Sequence, residues 1–165
     1  FNDIEEVAGA SRGRGLSASS RLGSQDASLA YGARVRLSGL HEIWVAGKFT
    51  QRQLSAMTLT IGGTEAPVEA RLAQQFGKDL GWYRLGSINL SSGPVQVKLN
   101  LKLLSGESAL LDVIMLTPKA FTPNGPIPPM EWISEIKTPG KGSDGPPLTP
   151  PKPSASPARS QGQGR

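Results

Sequence analysis

The sequence predicts an all-β chain folded as an antiparallel two-sheet β-sandwich, and three observations carry that prediction. Apolar and polar residues alternate with period two in successive stretches between Ser28 and Thr117, the pattern of strands with one buried and one wet face. Gly/Ser-rich turns separate these stretches, as they do in sandwiches and barrels. No convincing helix of about ten residues, the length at which a helix begins to hold, interrupts them. Two aligned sheets around one core suit the alternation best.

Each element follows from its residues. "FNDIEEVAGA" holds a short strand at Asp3–Val7, and the Gly/Ser/Arg-rich "SRGRGLSASS" reads as loop. In "SLAYGARVRL", Leu29, Tyr31, Ala33, Val35 and Leu37 share the buried face. "SGLH" turns the chain into "EIWVAGKF", where Ile43, Val45, Gly47 and Phe49 alternate with Glu42, Trp44, Ala46 and Lys48. "AMTLTIGG" repeats the pattern through Met57, Leu59 and Ile61, and "APVEARL" gives Val68, Ala70 and Leu72. "AQQFGKDLGWYRLGSINLSSG" is less regular, with Trp82 and Arg84 opposite Tyr83 and Leu85. In "PVQVKLNLKLL" the alternation is clearest, with Val95, Val97, Leu99, Leu101 and Leu103 on one face. "SGES" then turns into "ALLDVIMLTP", an apolar run that carries one carboxylate, Asp112.

Composition bounds what these strands do. The chain has 165 residues and no cysteine, so thiol catalysis, Cys-ligated zinc and a disulfide framework are excluded. A body of roughly 120 residues buries a sufficient core without staples. A chain that opens on Phe1 reads as processed or excised. No apolar stretch approaches the ~20 residues of a transmembrane helix. The net charge of +5 is uneven: residues 1–136 hold 13 Lys/Arg against 12 Asp/Glu, and residues 137–165 hold 5 against 1. The basic balance thus belongs to the tail. A nucleic-acid reader carries its basic stripe on the fold itself, so specific nucleic-acid recognition is not expected.

Twelve of the 14 prolines lie at or after Pro118. Three regions follow: a sandwich over residues 1–121, a Pro-flanked segment over 122–137, and a basic Pro/Gly/Ser-rich tail over 138–165. The tail has too few apolar residues to offset its ordering entropy, so it is expected to be disordered. In "PIPPMEWISEIKTPG", Met130 and Ile133, and Trp132 and Ile136, have helical spacing. So short an element cannot persist alone; it packs on its own domain or docks on a partner domain or subunit.

"YGARVRLSGLHEIWVAGKF", "GWYRLGSINLSSGPVQVKLNL" and "ALLDVIMLTP" together resemble galactose-binding-like jelly rolls, a family that includes carbohydrate-binding modules and ancillary sandwiches of extracellular proteins. The resemblance covers about residues 28–121. It implies a jelly roll, an extracytoplasmic setting and a non-catalytic accessory role with carbohydrate as ligand. It also implies a structural calcium site in which Asp112 joins Glu5 or Glu6 of the N-terminal strand. Calcium takes six to eight oxygens, so backbone carbonyls would have to complete that shell. The residues leave a second reading open, in which Asp112 caps a turn, pairs with a basic side chain, or accepts from N-terminal backbone N–H groups. Some partner is required, since an unpaired buried carboxylate is too costly.

Enzyme chemistry is hard to build from these residues, and none is expected. The single histidine, His41, falls in a turn and reads as solvated; Asp26, Glu42, Glu65, Glu69, Asp79 and Glu107 are scattered with no spacing that selects a pair. Ligand binding is easier, because sugars stack on aromatic rings beside polar groups. Trp82 and Tyr83, next to Arg84 in the irregular stretch, are the loop-edge candidates, and Trp44 is expected in an outward or inter-strand position. The alternative to sugar binding is a structural module that packs into a larger envelope assembly through its faces and through Met130, Trp132, Ile133 and Ile136.

Overall fold

Ten strands form two antiparallel sheets in a computed structural model of the chain, which describes residue 1 and residues 3–125. The six-stranded sheet runs in the order β1 (Asp3–Glu6), β2 (Arg14–Ser19), β10 (Ser108–Thr117), β4 (Gly39–Lys48), β8 (Leu80–Leu90) and β7 (Arg71–Phe76). The four-stranded sheet runs β3 (Gln25–Val35), β9 (Gly93–Leu103), β5 (Thr58–Ile61) and β6 (Thr64–Ala66). The fold is an all-β two-sheet sandwich, compatible with a jelly roll. One short helix, α1 (Gln51–Ser55), bridges β4 and β5 behind a capping box between Thr50 and Gln53. Among the described residues, no helix is long and apolar enough to cross a membrane.

Period-two alternation does its expected work at the centre. Val97, Leu99, Leu101 and Leu103 of β9 face Ile43 and Val45 of β4, Leu59 and Ile61 of β5 and Leu85 of β8 in one core, nearly all of them fully buried. β3 and β9 pair without interruption from Gln25↔Leu103 to Val35↔Gly93. Gly47 shows how tight the sheet is. A Cβ there would sit 2.2 Å from the carbonyl oxygen of Leu110 and 2.6 Å from the Phe49 ring.

Four expectations are corrected. The stretch "SRGRGLSASS" is not all loop, because Arg14–Ser19 forms β2 between β1 and β10. Its Gly and Ser residues have low strand propensity, and pairing on both sides overrides it. "APVEARL" is not a strand through Val68: β7 begins at Arg71, Leu72 is exposed, and the Glu69 N–H bonds the Leu85 carbonyl at 2.7 Å from a loop. The irregular stretch around Trp82 is one continuous strand, β8, whose alternation is broken by register shifts against β4 and β7. His41 lies not in a solvated turn but buried within β4, its Nδ1 2.9 Å from the Gly39 carbonyl oxygen.

The six-stranded sheet buries its second face too. Trp44, Ala46, Leu80, Trp82, Leu110 and Met115 form a separate cluster with Ala10 and Phe76, and Val7 and Phe121 pack on it. Two excursions of the chain supply this cover, residues 7–13 from the N-terminal side and the segment after β10. Phe121 meets Trp44 at 5.1 Å and Trp82 at 5.2 Å, both edge-to-face. Such pairs add about 0.5–1.5 kcal/mol each beyond burial.

The tight packing at Gly47 yields a test. Gly47→Ala is expected to lower the unfolding free energy by about 3 kcal/mol, the upper end for overpacking, because the obstructing Leu110 oxygen is backbone. Urea unfolding of the two proteins reads this as a fall in midpoint at unchanged slope.

Candidate functional site

The four ligand-binding candidates do not form an aromatic platform. Trp82 is fully buried, Trp44 is 4% exposed and Tyr83 is 8% exposed. Trp82 and Trp44 lie under Phe121 on the outer side of the six-stranded sheet, whereas Tyr83 faces the inner core against Phe49. The expected outward position of Trp44 is correct as to side, but the covering segment removes it from water. Arg84 is held by Glu42 at 3.2 Å and donates to the Ser87 hydroxyl at 3.0 Å.

Glu42 is the hub that organises this region. Its carboxylate accepts from Trp44 Nε1–H (3.0 Å), from Arg84 Nε–H and from the backbone N–H of Phe121 (3.4 Å). Further along the same segment, the Gly125 carbonyl accepts from Trp82 Nε1–H at 2.9 Å, and the Gly125 N–H donates to Gln74 Oε1 at 3.0 Å. The chain is therefore fixed to β4, β7 and β8 up to the residue that precedes "PIPPMEW". The docking candidates Met130, Trp132, Ile133 and Ile136 lie outside the described residues.

The metal candidates are not brought together. Asp112 sits at the register shift between Leu111 and Val113 in the β10–β4 pairing, a bulge that frees one residue from the ladder. Both its oxygens are occupied by Ser11: the backbone N–H donates to Oδ2 at 2.8 Å and the hydroxyl to Oδ1 at 2.6 Å. Glu5 and Glu6 are exposed on β1, and Glu6 has Arg14 at 3.8 Å. Among the described residues no three His, Asp or Glu side chains converge as a metal site would require. Asp112 thus follows the second sequence reading, accepting from an N-terminal N–H group, and the Ser11 hydroxyl is a partner that reading did not include. Nothing in "SRGRG" marks Ser11 as that partner, because the contact depends on how the 7–13 excursion crosses the sheet.

Other acids are also engaged in structural contacts. Glu107 pairs with Arg52 and accepts from the Leu104 N–H at 2.7 Å. The Arg52 hydrogen bond holds its carboxyl below the ordinary carboxylate range, with the Leu104 bond contributing. Asp79 pairs with Lys48 at 3.0 Å, and Glu69 lies 4.0 Å from Arg71. Two shallow depressions, about 400 and 520 Å³, flank the Pro67–Ala70 loop, lined by Gln51, Leu54 and Arg71 on one side and Met57, Thr58 and Glu65 on the other. Neither contains a tryptophan or tyrosine. No protein-family model matches the chain, and no curated protein matches it.

Desolvation pushes the Asp112 carboxyl above its ordinary value, against the two Ser11 bonds that pull it down. A raised native value means that the folded state holds this proton more readily than the unfolded state. The stability this group contributes is present at low pH and lost as pH rises through the native value. Asp112→Asn keeps an acceptor for the Ser11 N–H and carries no charge. Its stability relative to the natural protein is therefore expected to improve from pH 3 to pH 7. Asp112→Ala leaves the Ser11 groups without their partner and costs about 1–3 kcal/mol. Thermal or urea unfolding of the three proteins across that range checks both.

Proposed function

We propose that the chain is a non-catalytic structural module that packs into a larger protein assembly and holds its Pro-rich segment in place for a partner. One observation carries this reading. The aromatic residues that would serve ligand stacking are spent inside the fold, and Trp82 in particular fixes the Gly125 backbone at the point where that segment begins. A segment bearing Met130, Trp132, Ile133 and Ile136 that starts from a rigid anchor loses less entropy on docking than one on a free tether. The role requires no cofactor. An extracytoplasmic setting follows from the resemblance to ancillary modules of extracellular proteins.

Carbohydrate binding is the second reading, and one surface favours it. The outer face of the four-stranded sheet presents Gln96, Lys98 and Lys102 of β9, with Asn100 bonded to Thr58 across to β5 at 3.3 Å. Flat rows of amide, hydroxyl and ammonium groups can hydrogen-bond a glycan without stacking.

Affinity electrophoresis of the full chain against soluble neutral and acidic polysaccharides, with calcium and with chelator, separates the two. The expected result is no retardation in any lane. Retardation that is lost in a Gln96→Ala, Asn100→Ala double variant overturns the structural reading in favour of the polar sheet face.

A further inference from the structure

The turn between β3 and β4 carries apolar side chains into water. β3 ends at Val35 and β4 begins at Gly39, so "RLS" crosses from one sheet to the other. Leu37 is in phase with the inward residues of β3, yet it lies past the end of that strand and is 59% exposed. Leu40, in phase with Glu42 and Trp44 on β4, is 61% exposed. The turn is held in one shape. The Ser38 hydroxyl accepts from the Ser92 N–H at 2.8 Å, which ties it to the turn between β8 and β9. Gly39 leaves the turn at a φ of 128°, an angle at which a side chain would be strained.

Cations flank the two leucines. Arg34 holds the last outward position of β3, opposite Pro94, and Arg36 sits in the turn itself. Lys119 follows β10 by two residues, at the end where Thr117 stands opposite Glu42. All three are exposed. Glu42 is already taken up by Arg84, by the Trp44 indole N–H and by the Phe121 N–H. The other end of β3 offers a contrast. Leu22 and Leu104 are exposed there, beside Arg21 and Lys102. Lys102, however, stands opposite Asp26, and Arg52 is engaged by Glu107. Both ends expose leucine, and the ladder sets a carboxylate against the cation at one end and a proline at the other.

Two leucines among three cations are too little for a stable protein contact, which buries about 1,200 Å² or more in total. They suit a surface that is anionic outside and apolar just beneath. Guanidinium and ammonium groups bind phosphates, while side chains on the same turn enter the acyl boundary about 5–10 Å down. We propose that the β3–β4 turn is a membrane-contact site for an anionic phospholipid bilayer. Leu37 and Leu40 enter the headgroup–acyl boundary, and Arg34, Arg36 and Lys119 bind lipid phosphates. The contact is peripheral, and it stands independently of the assembly reading.

Co-sedimentation of the full chain with phosphatidylcholine vesicles, with and without phosphatidylserine, tests this. Binding is expected to the phosphatidylserine vesicles alone and is expected to weaken as salt is added. Leu37→Ser with Leu40→Ser is expected to weaken it at least about tenfold, and Arg34→Gln with Arg36→Gln about fivefold per charge. These side chains are exposed, so both double variants are expected to keep the natural urea midpoint, and each tests the site separately. Leu22→Ser, at the other end of β3, is expected to leave binding unchanged. Soluble glycerophosphoserine is expected not to compete, because the leucines need an acyl boundary. Absence of binding to the anionic vesicles overturns the proposal. Binding indifferent to the leucine pair also overturns it, as a basic tail that attracts the bilayer by charge alone would give that result. Competition by the soluble headgroup, or an equal loss in Leu22→Ser, overturns it as well.

Discussion

Covering the outer face of the six-stranded sheet is the constraint on which the rest of this structure depends. β4 and β8 place Trp44, Ala46 and Trp82 on that face, and β10 adds Leu110 and Met115. A sheet so apolar on both sides cannot leave one side in water, and the four-stranded sheet covers only the inner one. The remaining cover has to come from chain that is not strand. The 7–13 excursion and the segment after Thr117 supply it with Val7, Ala10 and Phe121.

Irregular backbone laid over an apolar sheet needs polar partners for its N–H and C=O groups. This need accounts for the polar residues that look out of place in the sequence. Asp112 is extruded by a bulge and receives Ser11. Glu42 receives Phe121, and Gln74 with Trp82 receives Gly125. In a sequence these are a carboxylate in an apolar run, an acid beside a tryptophan and an indole in an irregular stretch. Each resembles a ligand site because it is built from the same groups. Here the ligand is the protein's own backbone, and no buried side-chain nitrogen or oxygen among the described residues lacks a partner.

The inner core was legible because alternation depends only on neighbours two residues apart. Leu29, Tyr31, Ala33 and Val35 face inward as their spacing requires, and so do Ile43, Val45, Leu59, Ile61, Val97, Leu99, Leu101 and Leu103. What local spacing cannot show is a second layer. Trp44 and Trp82 read as outward or loop-edge because the residues that bury them, Phe121 and Gly125, lie tens of positions away and carry no periodic signal. β2 was hidden for a related reason, since its strand character comes from β1 and β10 on either side rather than from its Gly and Ser residues. Register shifts hid the rest: one at Leu111/Val113 moves Asp112 out of phase, and one at Leu72/Gln74 ends the alternation that "APVEARL" begins.

The edges of the two sheets differ in how they are guarded. Proteins blunt exposed strand edges with charge, brevity or cover. β1 carries Asp3, Glu5 and Glu6; β6 is three residues long with Glu65 at its centre; β7 begins with Arg71 and exposes Gln75. β3 carries Asp26 and Arg34, and Phe1 caps it at Ser28. Val113–Thr117 of β10 holds no charge and no proline, and Pro118 follows only after the strand has ended. Among the described residues β2 stops pairing with β10 at Leu111, so the partly buried Ile114 and Leu116 carry the inner core to a border that neither charge nor proline marks.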